Sequence, residues 1–162
     1  MTKSLLFSLA AVFSMLYFSS CKRVGCMADT ACVENYDPRA EKAGECTGCA
    51  DPFAATYCPE ADVDNGNCLY QRDFYSDNDE SGWIDVWVSD SAFTDNPFLL
   101  TYVGRIDRFT DGIPECGSLG DTALSVLKRP GEYFYETETQ TGQRAWGWVL
   151  YREEGCRLLD VW

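Results

Sequence analysis

Between residues 25 and 68 the chain repeats itself, and the repeat is built around cysteine. GCMADTACVENYDPRAEKAGEC is followed, after Thr47, by GCADPFAATYCPEADVDNGNC. Gly25 and Cys26 match Gly48 and Cys49 at a spacing of 23, and Tyr36, Pro38, Ala40 and Gly44 find counterparts in Tyr57, Pro59, Ala61 and Gly66. Neither copy holds enough aliphatic residues for a core, so each must be cross-linked to fold. Each copy carries three cysteines, so if the six pair among themselves at least one bridge joins the copies. Six cysteines allow 15 pairings. The preferred connectivity is Cys26–Cys46, Cys49–Cys68 and Cys32–Cys58.

The shared pattern GCxDxxAxNYxPxAxxDxGxC resembles the short cysteine-rich module found, singly or in tandem, in many secreted and cell-surface proteins of Gram-negative bacteria. The resemblance covers residues 25–68 and implies a spacer between an anchor and another domain. The first copy departs from it with Lys42 and Ala43 before its glycine, where the second has Asp62, Asp64 and Asn65. The segment DVDNGN also resembles the calcium-binding loops of thrombospondin type 3 repeats. A hard cation takes several oxygens converging on a tight turn, and Asp62, Asp64, Asn65 and Asn67 around Gly66 offer them. Asx-rich turns form without metal as well, and that reading stands beside calcium.

Residues 1–20 read as an export leader. Lys3 is a basic start, and 4–20 is apolar or small without a charge, too short and wrongly flanked for a membrane span. Ser19 and Ser20 before Cys21 resemble the lipobox of bacterial lipoproteins, although Phe18 stands where an aliphatic residue is usual. The resemblance implies cleavage, acylation of Cys21, and 21–24 as a lipid-anchored N-terminus. Several acyl chains, at about 0.8 kcal/mol per buried methylene, hold a protein more firmly than one chain does. Lys22 and Arg23 leave no Asp after the cysteine to signal inner-membrane retention, so the expected location is the outer membrane, facing periplasm or medium. The alternative is an ordinary secretory leader with Cys21 as a thiol. Parity favours lipid: of nine cysteines, removing Cys21 leaves an even set.

Thirteen basic residues face 26 acidic ones, a net charge of −13, which argues against nucleic acid and anionic head groups as partners. Histidine is absent, removing the commonest general base and the commonest transition-metal ligand. The chain calls for no cofactor, with calcium the one candidate.

Residues 69–162 change character. All five tryptophans lie there, and apolar residues alternate. Strands are predicted at 69–75, 83–89, 98–108, 122–128, 132–138, 144–152 and 156–162, giving an all-β, antiparallel, Ig-like sandwich behind the two stapled modules. RPGE at 129–132 is the strongest turn, with Thr141-Gly142 and Glu154-Gly155 as further breaks. Cys116 and Cys156, 40 residues apart, are expected to pair. The run of PECG, a strand, PGEYFY, a W-x-W strand and EEGC resembles β-sandwich domains that follow such modules in bacterial lipoproteins, most of them without assigned activity.

Three features bear on function. In DNDESGWID, Asp77, Asp79, Ser81 and Asp85 fall at oxygen-donor positions of an EF-hand loop, but Val88 stands where the bidentate Glu belongs. A hairpin tip between the first two strands is the alternative. Trp83 and Trp87 share a strand face; exposed, they would be a stacking platform for sugar rings, and buried, part of the sandwich core, where Trp146 and Trp148 are expected. Asp29-Thr30-Ala31, Asp90-Ser91-Ala92 and Asp121-Thr122-Ala123 resemble the acceptor of a bacterial O-glycosylation system, making Thr30, Ser91 and Thr122 candidate acceptors. The expected function is a non-enzymatic, lipid-anchored envelope protein presenting a binding or adhesion domain to a cell-surface glycan or envelope protein. The alternatives are a carbohydrate-binding accessory module and, more remotely, a hydrolase using Glu136 and Glu138.

Overall fold

The computed structural model describes residues 22–78, 82–92, 99–116, 122–152 and 156–161; the segment read as an export leader, 1–20, and Cys21 lie outside them. Residues 22–69 form two copies of one small unit. In the first, β1 (Val24–Gly25) runs parallel to β2 (Lys42–Ala43). In the second, β3 (Thr47–Gly48) runs parallel to β4 (Val63–Asp64). The backbone bonds repeat with them. Arg23 O accepts from Glu41 and Lys42 N at 2.8 and 3.1 Å, and Cys46 O accepts from Asp62 and Val63 N at 2.8 and 3.0 Å. Gly25 O accepts from Gly44 N, and Gly48 O from Asn65 N. Asn65, rather than Gly66, therefore stands where Gly44 does. Gly66 is an inserted residue, and its φ of 71° suits glycine.

The disulfides are Cys26–Cys46, Cys49–Cys68, Cys32–Cys58 and Cys116–Cys156, the pairs preferred from the sequence. Cys58 takes the place that Asp37 holds in the first unit: their amides donate to Cys49 O and Cys26 O, both at 2.8 Å. The bridge between units thus joins two non-equivalent positions.

The chain leaves both units in the same way. Thr47 donates its N–H to Asn35 Oδ1 at 2.7 Å and accepts at its carbonyl from Glu34 N at 2.9 Å. Leu69 donates to Thr56 Oγ1 at 3.0 Å and accepts from Ala55 N at 2.8 Å. One device joins unit to unit and unit to sandwich.

The sandwich strands are β5 (Tyr70–Tyr75), β6 (Ile84–Ser89), β7 (Leu100–Ile106), β8 (Ala123–Lys128), β9 (Gly131–Thr139), β10 (Arg144–Tyr151) and β11 (Arg157–Asp160). Each falls within two residues of its predicted bounds. One sheet runs β10-β9-β6-β7, antiparallel throughout, and the other β11-β5-β8. The last strand departs from expectation: β11 pairs parallel with β5, Arg157 opposite Arg72 through Asp160 opposite Tyr75. The strand order also differs from that of antibody domains, where the first, second, fourth and fifth strands share a sheet. Here the second, third, fifth and sixth do.

RPGE carries the chain from one sheet to the other, so it closes no hairpin. Thr141-Gly142 closes the β9–β10 hairpin, with Gly142 N donating to Thr139 O at 2.9 Å. The Glu154-Gly155 break lies outside the described residues.

The core joins Phe74, Ile84, Val86, Val88, Ile106, Val126, Tyr133, Val149, Tyr151 and Val161, and continues into Cys49, Ala54 and Cys68 of the second unit. Tyr70 Oη donates to Asp51 across that junction, and Arg129 Nη2 donates to Asn67 Oδ1 at 3.0 Å. In the first unit the buried apolar residues are Cys26 and Cys46. Two buried charges sit on β5. Arg72 donates to Leu150 O and Gln71 O at 2.8 and 2.7 Å with Tyr151 beneath it, and burial pulls it below the usual guanidinium range. Asp73 accepts from Gln71 Nε2 and Ser125 Oγ at 2.8 and 2.6 Å.

Candidate functional site

β10 carries two alternating apolar sets, and the structure sends the larger one outward. Trp146 and Trp148, expected in the core, are 69% and 38% exposed. The reason is volume. Gly147 lies opposite Tyr135, and a Cβ on it would come within 2.8 Å of the tyrosine hydroxyl. Tyrosines of β9 fill the inner space instead: Tyr133 packs edge-on to Tyr151 at 5.2 Å, and Tyr135 edge-on to Phe74 at 5.7 Å. Indoles at 146 and 148 have no room there.

The outer face of the four-stranded sheet therefore presents two aromatic groups. On β9 and β10, Phe134 lies at 6.0 Å and 32° to Trp146 and edge-on to Trp148 at 5.2 Å. On β6 and β7, Trp87 and Tyr102 tilt against each other at 5.6 Å. Glu136 sits between the groups, directly opposite Trp146 on one side and Trp87 on the other.

The pair Trp83 and Trp87, expected as one platform, is split. Trp87 belongs to the outer face, whereas Trp83 precedes β6 and has the Arg105 guanidinium 3.8 Å from its ring centre. A β-bulge accounts for Arg105. The register between β6 and β7 shifts at Val86/Trp87 and leaves Val103 as an extra residue, so that Tyr102 and Arg105, three apart, meet the same carboxylate. Arg105 Nε and Nη2 donate to Asp85 at 2.6 and 2.7 Å, and Tyr102 Oη donates to Asp85 Oδ1 at 3.1 Å. The Arg105 hydrogen bond holds the Asp85 carboxyl below the usual carboxylate range. Period-two reading has no signal for this cluster, because a bulge breaks the period it relies on.

Glu136 and Glu138, the carboxylates considered for hydrolysis, share Arg144, at 3.2 and 2.8 Å. With Trp87 and Leu100 these three side chains line an open hollow of about 310 Å³. A second hollow, of about 450 Å³, lies between the two cysteine-rich units beside Cys32, Glu34, Tyr57 and Asn65.

The candidate calcium oxygens face the protein's own donors. Asp62 accepts from Cys46 N at 3.0 Å, Asp64 from Gly66 N at 2.9 Å, Asn65 from Asn67 N at 2.8 Å, and Asn67 from Arg129. The Asp64 and Asn65 contacts are Asx turns, each closed on the amide two residues on, whereas Asp62 and Asn67 accept from distant parts of the chain. The segment DNDESGWID links β5 in one sheet to β6 in the other, so it is no hairpin tip. Asp79 and Ser81 lie outside the described residues, Asp77 is exposed, and Asp85 is in its ion pair. Among the described residues, the close groups of three acidic or sulfur ligands are Cys32, Cys58, Glu60 and Asp73, Cys116, Cys156, and their sulfurs are in disulfides.

Of the three triplet hydroxyls, Thr30 is exposed in a turn closed by Val33 N on its carbonyl, Ser91 is half-buried next to β6, and Thr122 is half-buried just before β8. No known protein family, curated protein or solved structure matches the chain. The outer aromatic face is the site that its own geometry singles out.

Proposed function

We propose that this is an exported, lipid-anchored protein of the bacterial outer membrane that holds a binding domain off the membrane on two cross-linked units. Cys21 carries the anchor, and the outer face of the four-stranded sheet is the binding surface. The reading rests on one observation above the rest: Trp146 and Trp148, at 69 and 38% exposure, stand together on one sheet face, with Tyr102, at 51%, on the same face beyond Glu136 and Trp87. Soluble proteins seldom leave contiguous apolar area open unless something binds it. The four disulfides suit the oxidising compartment that an export leader leads to. Glu136 and Glu138 lie on an open face beside one arginine, an arrangement suited to ligand contact more than to a water-excluding cleft.

Two measurements test the reading. Cys21→Ser moves the protein out of the membrane fraction and abolishes incorporation of labelled palmitate; unchanged membrane retention would remove the anchor from the proposal. Detergent-solubilised full-length protein is retained by delipidated envelope material from cells lacking it, and Trp146→Ala with Trp148→Ala weakens retention at least tenfold. No retention of the wild type would end the proposal of a binding face.

A further inference from the structure

We infer that the outer face takes a neutral polysaccharide segment lying across the strands, from Tyr102 over Trp87 and Glu136 to Trp146; this rests on the binding-face reading above. The register sets these residues in one row across β7, β6, β9 and β10. Three strand spacings of about 4.8 Å give the row a length of roughly 14 Å, enough for several sugar rings in line. Its chemistry alternates as a sugar chain does, with aromatic faces for apolar ring faces and a carboxylate acceptor between them for hydroxyls.

The row is held in place before any ligand arrives. Phe134 backs Trp146 at 32°, so one indole face is supported while the residue as a whole stays exposed. Trp87 leans on Tyr102, Tyr102 is fixed by Asp85, Asp85 by Arg105, and Arg105 lies over Trp83. Side chains ordered in this way lose little freedom on binding. Beside the row, Leu100, Glu138 and Arg144 complete an open hollow with Trp87 and Glu136, lined by both apolar and charged side chains.

Charge selects the ligand class. Arg105 and Arg144 both stand in ion pairs with carboxylates of this same face, Asp85, Glu136 and Glu138. An acidic chain of net charge −13 repels uronates and phosphorylated sugars. A neutral, hydroxyl-rich chain meets acceptors without that repulsion.

The test uses the same retention assay, so the two proposals fail separately. Envelope material is treated with protease or with periodate, which cleaves vicinal diols, and the released polysaccharide is split by anion exchange into neutral and acidic fractions. Retention should survive protease, be lost after periodate and follow the neutral fraction. Trp87→Ala and Trp146→Ala should each weaken it at least tenfold, and Trp146→Tyr should keep it within threefold, all with wild-type thermal unfolding. Retention that survives periodate and falls with protease would mean a protein partner and overturn the glycan while leaving the binding face intact. Retention on the acidic fraction alone would overturn neutrality, and retention indifferent to Trp87 and Trp146 would overturn the row.

Discussion

The two cysteine-rich units share a backbone plan and differ in what they lean on. The first buries little beyond its own cystine, Cys26–Cys46, while the second lends Cys49, Ala54 and Cys68 to the core of the sandwich. Their internal bridges close loops of nearly equal length, with separations of 20 and 19 residues. Chain entropy alone assigns each about 3 kcal/mol. What differs is where the loss is felt, and that follows from packing, which loop length does not report.

The most severe test of this contrast is to remove one bridge at a time. Cys49→Ser with Cys68→Ser should lower sandwich stability by about 3 kcal/mol or prevent folding, read as a shifted guanidinium midpoint of tryptophan fluorescence. Cys26→Ser with Cys46→Ser should leave that midpoint in place while residues 22–46 become protease-sensitive; equal shifts would break the comparison.

Next in size is the bridge between units. Removing Cys32 and Cys58 should speed proteolysis within the first unit and leave the sandwich midpoint unmoved, since neither cysteine belongs to the shared core. A smaller effect comes from a site outside both units. Asp85 has its folded pKa depressed by Arg105, so its stabilisation is present above the ordinary carboxylate value near 3.9 and is lost as pH falls through the lower folded value. The stability gap between wild type and Asp85→Asn should therefore be open at neutral pH and close below about pH 4, monitored by thermal melts across pH. The smallest effect should be that of calcium, because the Asp62, Asp64 and Asn65 oxygens already accept from backbone amides. Exchanging EDTA for excess calcium should leave the melting point unchanged. A rise that Asp64→Asn abolishes would give the second unit a metal the first lacks.

Much of the fold was legible because it depends on local rules. Seven apolar runs with turn residues between them are seven strands, and the repeat with its cysteine parity pointed to the stapling. The site was less legible. Alternation says that Trp146 and Trp148 share a face, but Val149 and Tyr151 on the other face are apolar too, and only the fit of Tyr135 over Gly147 decides which set goes inside. Tyr102 and Arg105 meet Asp85 through a bulge that has no mark in the sequence. The parallel pairing of β11 with β5 is a long-range choice that residues 157–160 do not encode. Within the repeat, sequence matched Gly44 to Gly66 by residue type, while hydrogen bonding matched it to Asn65.

The bridges also determine how the molecule behaves under tension. Pulled between its N-terminal end and the sandwich, the chain carries load from Cys26 directly to Cys46, across Thr47 and Gly48, and from Cys49 directly to Cys68. The residues looped out between each pair lie off the line of force. An uncrosslinked segment of that length would unravel and lengthen several-fold, but this one reaches its full extension almost at once. It acts as a short, nearly inextensible tether, so drag on the sandwich passes to the N-terminal end without being absorbed on the way.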